Sequence, residues 1–170
     1  MSSAPDKPGS PKSPAPRRVA RAGARLNAVQ ALYQMDLAAT PTADVFAEFE
    51  SHWIGREVEG VTHPDAEVAF FHDLVEGVVR EQRRIDPLID ATLSGGWPLK
   101  RVEAVLRALL RAGCYELMSR PDIPARVVVS QYVDVASAFL EQEETSMANA
   151  VLDALARKLR AAEFTDEGGR

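Results

Sequence analysis

RRVARAGARLNAVQALYQMDL, residues 17–37, reads as one helix with two different halves. In its C-terminal half Leu26, Val29, Tyr33 and Leu37 recur at the three- and four-residue spacing of a helix face turned to a core. In its N-terminal half Arg18, Arg21 and Arg25 recur at the same spacing, so their guanidinium groups share one side. Ala20, Ala22, Ala24 and Ala28 lie between them, favouring the helix and keeping its surface slim. An arginine side of this kind suits RNA, because guanidinium pairs with phosphate through two parallel hydrogen bonds and stacks on bases. It equally suits a solvated basic face, and this stretch alone leaves the two open.

With 170 residues the chain has the length of one domain, or of two small sub-bundles sharing a core. The net charge of −5 is unevenly spread. Residues 1–30 hold Lys7, Lys12, Arg17, Arg18, Arg21 and Arg25 against Asp6 alone, so the acidic excess lies entirely in the rest of the chain. An acidic body with a basic N-terminus does not suit general coating of nucleic acid; it suits contact at one defined place. Cys114 is the single cysteine, which excludes an intramolecular disulfide. It falls in an apolar helical pattern between Leu110 and Leu117, where a thiol acts as a small hydrophobe. No apolar run is long enough to span a bilayer, and the N-terminus has no apolar segment of a secretory signal. A reducing cytoplasm, with no membrane partner, is the expected setting.

Residues 1–16, MSSAPDKPGSPKSPAP, lack any large apolar side chain beyond Met1 and are expected to form a disordered tail. Helices are expected at about 43–58, with Val45, Phe46, Phe49, Trp53 and Ile54 on the apolar side, and at 65–85, striped by Val68, Phe71, Leu74, Val75 and Val78. Asp86-Pro87 predicts a break, followed by a short helix from Leu88 to Leu93 that ends at Ser94-Gly95-Gly96. A strong helix over about 100–119 contains Gly113, whose cost of roughly 1 kcal/mol relative to alanine implies close approach of another helix. After the turn at 120–124, a helix over 125–140 carries Val128, Tyr132, Ala136 and Phe139. The acidic stretch 141–144 reads as a linker to a capping pair, Thr145-Ser146, and a last helix to about Ala162 with Val151, Leu155 and Leu159. Residues 163–170 should fray. The pattern is all-α, with one globular region over 17–162.

Catalytic chemistry has no foothold. His52, His63 and His72 form no paired metal-binding motif at helical spacing, and Gly95-Gly96 lacks the lysine and hydroxyl residue of a phosphate loop. Asp86 and Asp90 read as a solvated helix face, and no serine sits in a nucleophile elbow. No enzyme activity, metal or cofactor is expected.

Arg21-x3-Arg25-x2-Ala28-x-Gln30-Ala31-Leu32-Tyr33 resembles the opening of the NusB family of bacterial transcription antitermination factors. Three later blocks follow in the right order: Phe70-Phe71-His72-Asp73-Leu74-Val75-Glu76-Gly77-Val78; Trp97-x-Leu99-x-Arg101, continued by Leu110-Arg111-x3-Tyr115-Glu116-Leu117 and Ile123-Pro124; and Asn149-x-Val151-Leu152-Asp153. The resemblance covers about 17–160. It implies an all-helical fold of two three-helix sub-bundles sharing a core. It further implies binding of the single-stranded boxA element of ribosomal RNA leader transcripts together with NusE, a small-subunit ribosomal protein. That complex would join the RNA polymerase elongation complex with the other Nus factors and prevent premature termination.

Carried over by position, the resemblance makes Arg21 and Arg25 part of an arginine-rich RNA-binding motif that Arg17 and Arg18 extend. It places Gln30 and Tyr33 near the RNA path, and Met147 and Asn149 alongside the RNA on the last helix. Met147 stands where many members have phenylalanine, a better ring for stacking on a base. Tyr33, Tyr115 and Leu117 also fit core packing, and Arg111 fits an internal ion pair with Glu116 or Asp153. Arg21 and Arg25 have no acid four residues away, which favours their functional role. A helical protein-interaction module without RNA binding is the alternative. The NusB-like domain of certain ribosomal RNA methyltransferases is a third, and the chain lacks the Gly-rich cofactor-binding segment it would require. Monomer and homodimer both remain open.

Overall fold

The computed structural model describes residues 14–58, 65–93 and 102–165. The element order is α1 (Pro14–Ala38), α2 (Thr42–Val58), α3 (Asp65–Thr92), α4 (Ala104–Ser119), α5 (Ala125–Phe139) and α6 (Gln142–Leu159), closed by a 3-10 turn over Ala161–Phe164. Helices α1–α3 and α4–α6 form two three-helix sub-bundles. They share one core because α4 packs on α1 and α3 as well as on α5 and α6. Among the described residues there is no strand.

The buried face of α1 differs from its expected stripe. Ala20, Ala24, Ala28, Val29, Ala31 and Leu32 are buried, whereas Tyr33 is half-buried and Leu37 is exposed. The alanines are therefore the contact surface itself, letting α3 and α4 approach closely. The same logic holds on α4. A methyl group on Gly113 would lie 2.6 Å from Leu152 Cδ2, which is the close helix approach its presence in a helix implied. Gly77 of α3 lies under the Tyr115 ring, where a methyl group would come within 2.1 Å of Cζ. Tyr115 and Leu117 are core residues.

Several boundaries moved, each for a local reason. Helix α1 begins at Pro14, inside the expected tail, since proline is tolerated in a first turn whose N–H groups lack intrahelical acceptors. Helix α3 continues through Pro87 to Thr92, so the expected break and separate short helix do not occur. Pro87 and Arg83, whose carbonyl loses its partner, are exposed to water, and buried Ile85 and Ile89 hold the helix on both sides. Helix α4 begins at Ala104; residues 94–101, including the Gly95-Gly96 loop, lie outside the described residues. The acidic stretch is the first turn of α6, where Glu143 and Glu144 favour the positive end of the helix dipole.

Of the stretch expected to fray, Glu163 and Phe164 belong to a 3-10 turn that is tied down, and residues 166–170 lie outside the described residues. Arg160 donates from Nε to Leu117 O at 2.7 Å and from its terminal nitrogens to the Ile123 and Arg120 carbonyls at 3.0 and 2.6 Å. Those acceptors lie at or just beyond the end of α4, where a helix leaves carbonyls unsatisfied. Glu163 accepts the Ala125 N–H at 2.9 Å and Arg160 Nη1 at 2.6 Å, which ties the start of α5 to the same point. This arrangement holds the 120–124 turn beside the N-terminal half of α1.

Candidate RNA interface

The N-terminal half of α1 sorts its arginines by depth. Arg18 is exposed, and the Arg21 side chain is 32% exposed. Arg25, one turn further on, is 2% exposed and faces inward. Its Nε and Nη2 donate to Glu116 Oε2 and Oε1 at 2.9 and 2.8 Å, a two-point pair with a carboxylate that is fully buried on α4. Gln131 Oε1 accepts from Arg25 Nη1 at 3.5 Å. Burial opposes the charge on Arg25, and the Glu116 carboxylate outweighs that opposition, so its pKa rises. The buried Tyr132 hydroxyl beside the pair lacks a hydrogen-bond partner, and burial followed by the Glu116 charge pushes its pKa far up.

Arg25 is thus corrected from an outward RNA ligand to an internal strut. A local spacing rule looks for an acid three or four residues away; the acid that pairs with Arg25 is 91 residues away on another helix. Arg111 is an internal ion-pair residue as expected, but its partners are Asp86, at 2.9 and 3.0 Å, and Asp36, at 3.8 Å. Glu116 is taken by Arg25, and Asp153 pairs with Arg157 within α6.

Phe70, buried on α3, is the floor of this region. Three guanidinium carbons lie near its ring centroid: Arg120 at 5.1 Å, Arg25 at 5.3 Å and Arg21 at 5.8 Å. At that range the ring's negative face attracts a cation. Arg120, just past α4, donates to Asp122 at 3.0 Å through both Nε and Nη2, and to Asp73 at 3.1 Å through Nη1. Asp73 also accepts the Tyr115 hydroxyl at 2.7 Å. Phe70 and Asp73 lie within a block that resembles the family, but nothing in their spacing marks them as neighbours of Arg21 and Arg120. Only packing does that.

The other expected positions occupy different surfaces. Gln30, nine residues from Arg21, lies about 180° around the helix from it. It is exposed and, with Tyr33, lines a cleft of about 580 Å³ together with Val29, Gln34, Leu37, Phe49, Val105 and Phe139. Met147 and Asn149 are both exposed on α6, but two residues' separation points them about 200° apart. Asn149 faces the groove against α5 lined by Val133, Ser137, Thr145 and Ser146. Arg17 is in α1, and its side chain lies outside the described residues. The fold therefore brings Arg18 with Arg21, and Gln30 with Tyr33, without joining all eight positions in one patch.

Among the described residues no cluster could hold a metal ion, and no helix is long and apolar enough to cross a membrane. The Cys114 thiol is buried, which pushes its pKa up to about 12.

Comparison with known proteins agrees with this architecture. The NusB family pattern matches residues 22–157. The chain is 65% identical over 144 residues to a transcription antitermination protein NusB of Bradyrhizobium diazoefficiens, covering 85% of this chain and 87% of that protein. It is 66% identical over 144 residues to the NusB protein of Nitrobacter hamburgensis, covering 85% and 90% respectively. Among solved structures, T. maritima NusB shares the fold with a TM-score of 0.72 at 23% identity, over 85% of this chain and 96% of that one. A structure of antitermination factors NusB and NusE in complex with double-stranded RNA matches at 28% identity and a TM-score of 0.66, covering 82% of this chain and 98% of that one.

Proposed function

The chain belongs to the NusB family and is a transcription antitermination factor, a regulatory protein and not an enzyme; we propose that it holds single-stranded boxA RNA of ribosomal RNA leader transcripts together with NusE and so prevents premature termination. The observation that carries this proposal is the sorting of arginines on α1. Arg25 is locked to Glu116, while Arg18 and Arg21, on the same side of the helix but nearer its start, are exposed and partly exposed. Guanidinium groups pair with phosphate oxygens through two parallel hydrogen bonds. The solved relative that pairs NusB with NusE and RNA supports both partners. Arg17, Gln30, Tyr33, Met147 and Asn149 are carried as further contacts on the strength of the family resemblance. Arg25 supports the surface from within. The place of action is the cytoplasm, on the RNA polymerase elongation complex with the other Nus factors.

Fluorescence anisotropy with labelled boxA RNA, with and without NusE and against a scrambled strand, tests this. Binding should tighten with NusE and be much weaker on the scrambled RNA. Its logarithm should fall with the logarithm of salt concentration at about −0.7 per phosphate neutralised. Arg18→Ala combined with Arg21→Ala should weaken boxA binding about tenfold while helix content stays intact. Binding to NusE with no discrimination between RNA strands would instead establish a helical protein-interaction module.

A further inference from the structure

We propose that Arg21 and Arg120 form a two-arginine phosphate clamp on the RNA-binding surface, in which Asp122 occupies the place of the RNA phosphate. This rests on the RNA-binding role proposed above and adds a residue from outside the N-terminal motif, 99 positions along the chain from Arg21.

Of the three arginines over Phe70, Arg25 is sealed and the other two are reachable, with side chains 32% exposed for Arg21 and 26% for Arg120. Asp122 lies between them. Arg120 meets both carboxylate oxygens at 3.0 Å, and Arg21 Nη2 stands 3.9 Å from Oδ2. Two guanidinium groups converging on one anionic group is also the arrangement that holds a phosphodiester, because carboxylate and phosphate oxygens accept from the same planar fork. The Arg120 fork depresses the Asp122 pKa, with Arg21 adding to the effect, so the carboxylate remains a charged occupant.

The Asp122 side chain is 52% exposed and sits on a turn, and an exposed ion pair adds little to stability. Exchange of that carboxylate for a phosphate is therefore inexpensive. Arg120 would keep its aim during the exchange, because Asp73 still accepts its Nη1 and is itself held by the Tyr115 hydroxyl. Phe70 covers one side of the guanidinium groups, so a phosphate approaches from the side open to solvent. Asp122 then acts as an internal competitor that lowers affinity for any polyanion, whatever its base sequence.

Asp122→Asn keeps the shape of the side chain and removes the competing charge. In anisotropy titrations with labelled boxA RNA and a scrambled strand of equal length, it should tighten both by the same factor, about threefold to tenfold at low salt. Arg120→Gln should weaken both and reduce the salt slope by about 0.7. In the Arg120→Gln background the Asp122→Asn gain should largely disappear, since the fork that Asp122 blocks is gone. Far-UV circular dichroism and thermal melting confirm that each variant is folded. Unchanged or weaker RNA binding by folded Asp122→Asn overturns the clamp, as does a change confined to NusE binding. If the parent protein binds no RNA, the functional proposal fails as well. If the parent binds boxA and loses affinity on Arg21→Ala, yet is indifferent to Asp122→Asn, only the clamp fails.

Discussion

Helices α1 and α4 run antiparallel and are joined by ion pairs at both ends, with the charges exchanged between the helices. Towards the start of α1, Arg25 reaches Glu116 on α4; towards its end, Asp36 receives Arg107 from α4. The first pair is sealed, at 2% and 0% exposure, whereas the second is partly open, at 15% and 27%. Two links of the same chemistry thus have different consequences. A sealed pair is hard to break from one side, because the surviving charge is left without water or partner. An open pair lets water replace the lost partner, so its removal costs less.

The largest effect should come from Arg25→Ala. Leaving Glu116 alone in the core should cost about 3–5 kcal/mol, a fall of roughly 10 °C in Tm by calorimetry for a chain of this length. A normal melting point with weakened RNA binding would overturn the strut assignment and return Arg25 to the RNA surface. Arg107→Ala should cost about 1 kcal/mol, a few degrees in Tm, since its pair with Asp36 is reachable by water. Equal losses from the two substitutions would break the distinction between sealed and open ends.

The smallest effect concerns acid stability. The Ala125 N–H, followed by Arg160, lowers the Glu163 pKa below its ordinary value of 4.5. A carboxylate with a lowered folded-state pKa contributes stability above its unfolded value and loses it as pH falls through the folded value. That loss should begin near pH 4.5 and extend below it. In urea titrations at pH 6 and pH 3.5, Glu163→Gln should show a slightly smaller drop in midpoint than the parent. An unchanged drop would mean that the C-terminal tie contributes nothing to acid stability.

Much of the fold was legible because helical periodicity is a local property. Val128, Tyr132 and Ala136 are buried at the spacing that announced α5, and Gly113 does mark a close helix contact. Misplaced boundaries arose where a local rule met a tertiary constraint. Pro87 signals a break in isolation, yet Ile85 and Ile89 are buried on either side of it. Leu37 and Phe139 fit apolar stripes but remain exposed beside a cleft, because periodicity marks a face without saying what covers it. The surface that carries the proposed function was harder to read. Arg18, Arg21 and Arg25 occupy one side of a helical wheel, and a wheel does not distinguish an arginine aimed at solvent from one aimed at a neighbouring helix.

By itself the sequence determined an all-α chain, its family, the principal helices and the concentration of arginine at the start of α1. The helices and the arginine cluster follow from residue type and short-range spacing, and the family from the resemblance of its ordered motifs. Tertiary structure alone decided that Arg25 belongs to Glu116, that Arg111 belongs to Asp86, and that Arg120 and Arg21 sit over Phe70 with Asp122 paired to both. Electrostatic partnership depends on distance through space and on exclusion of water, and neither exists until the helices have packed.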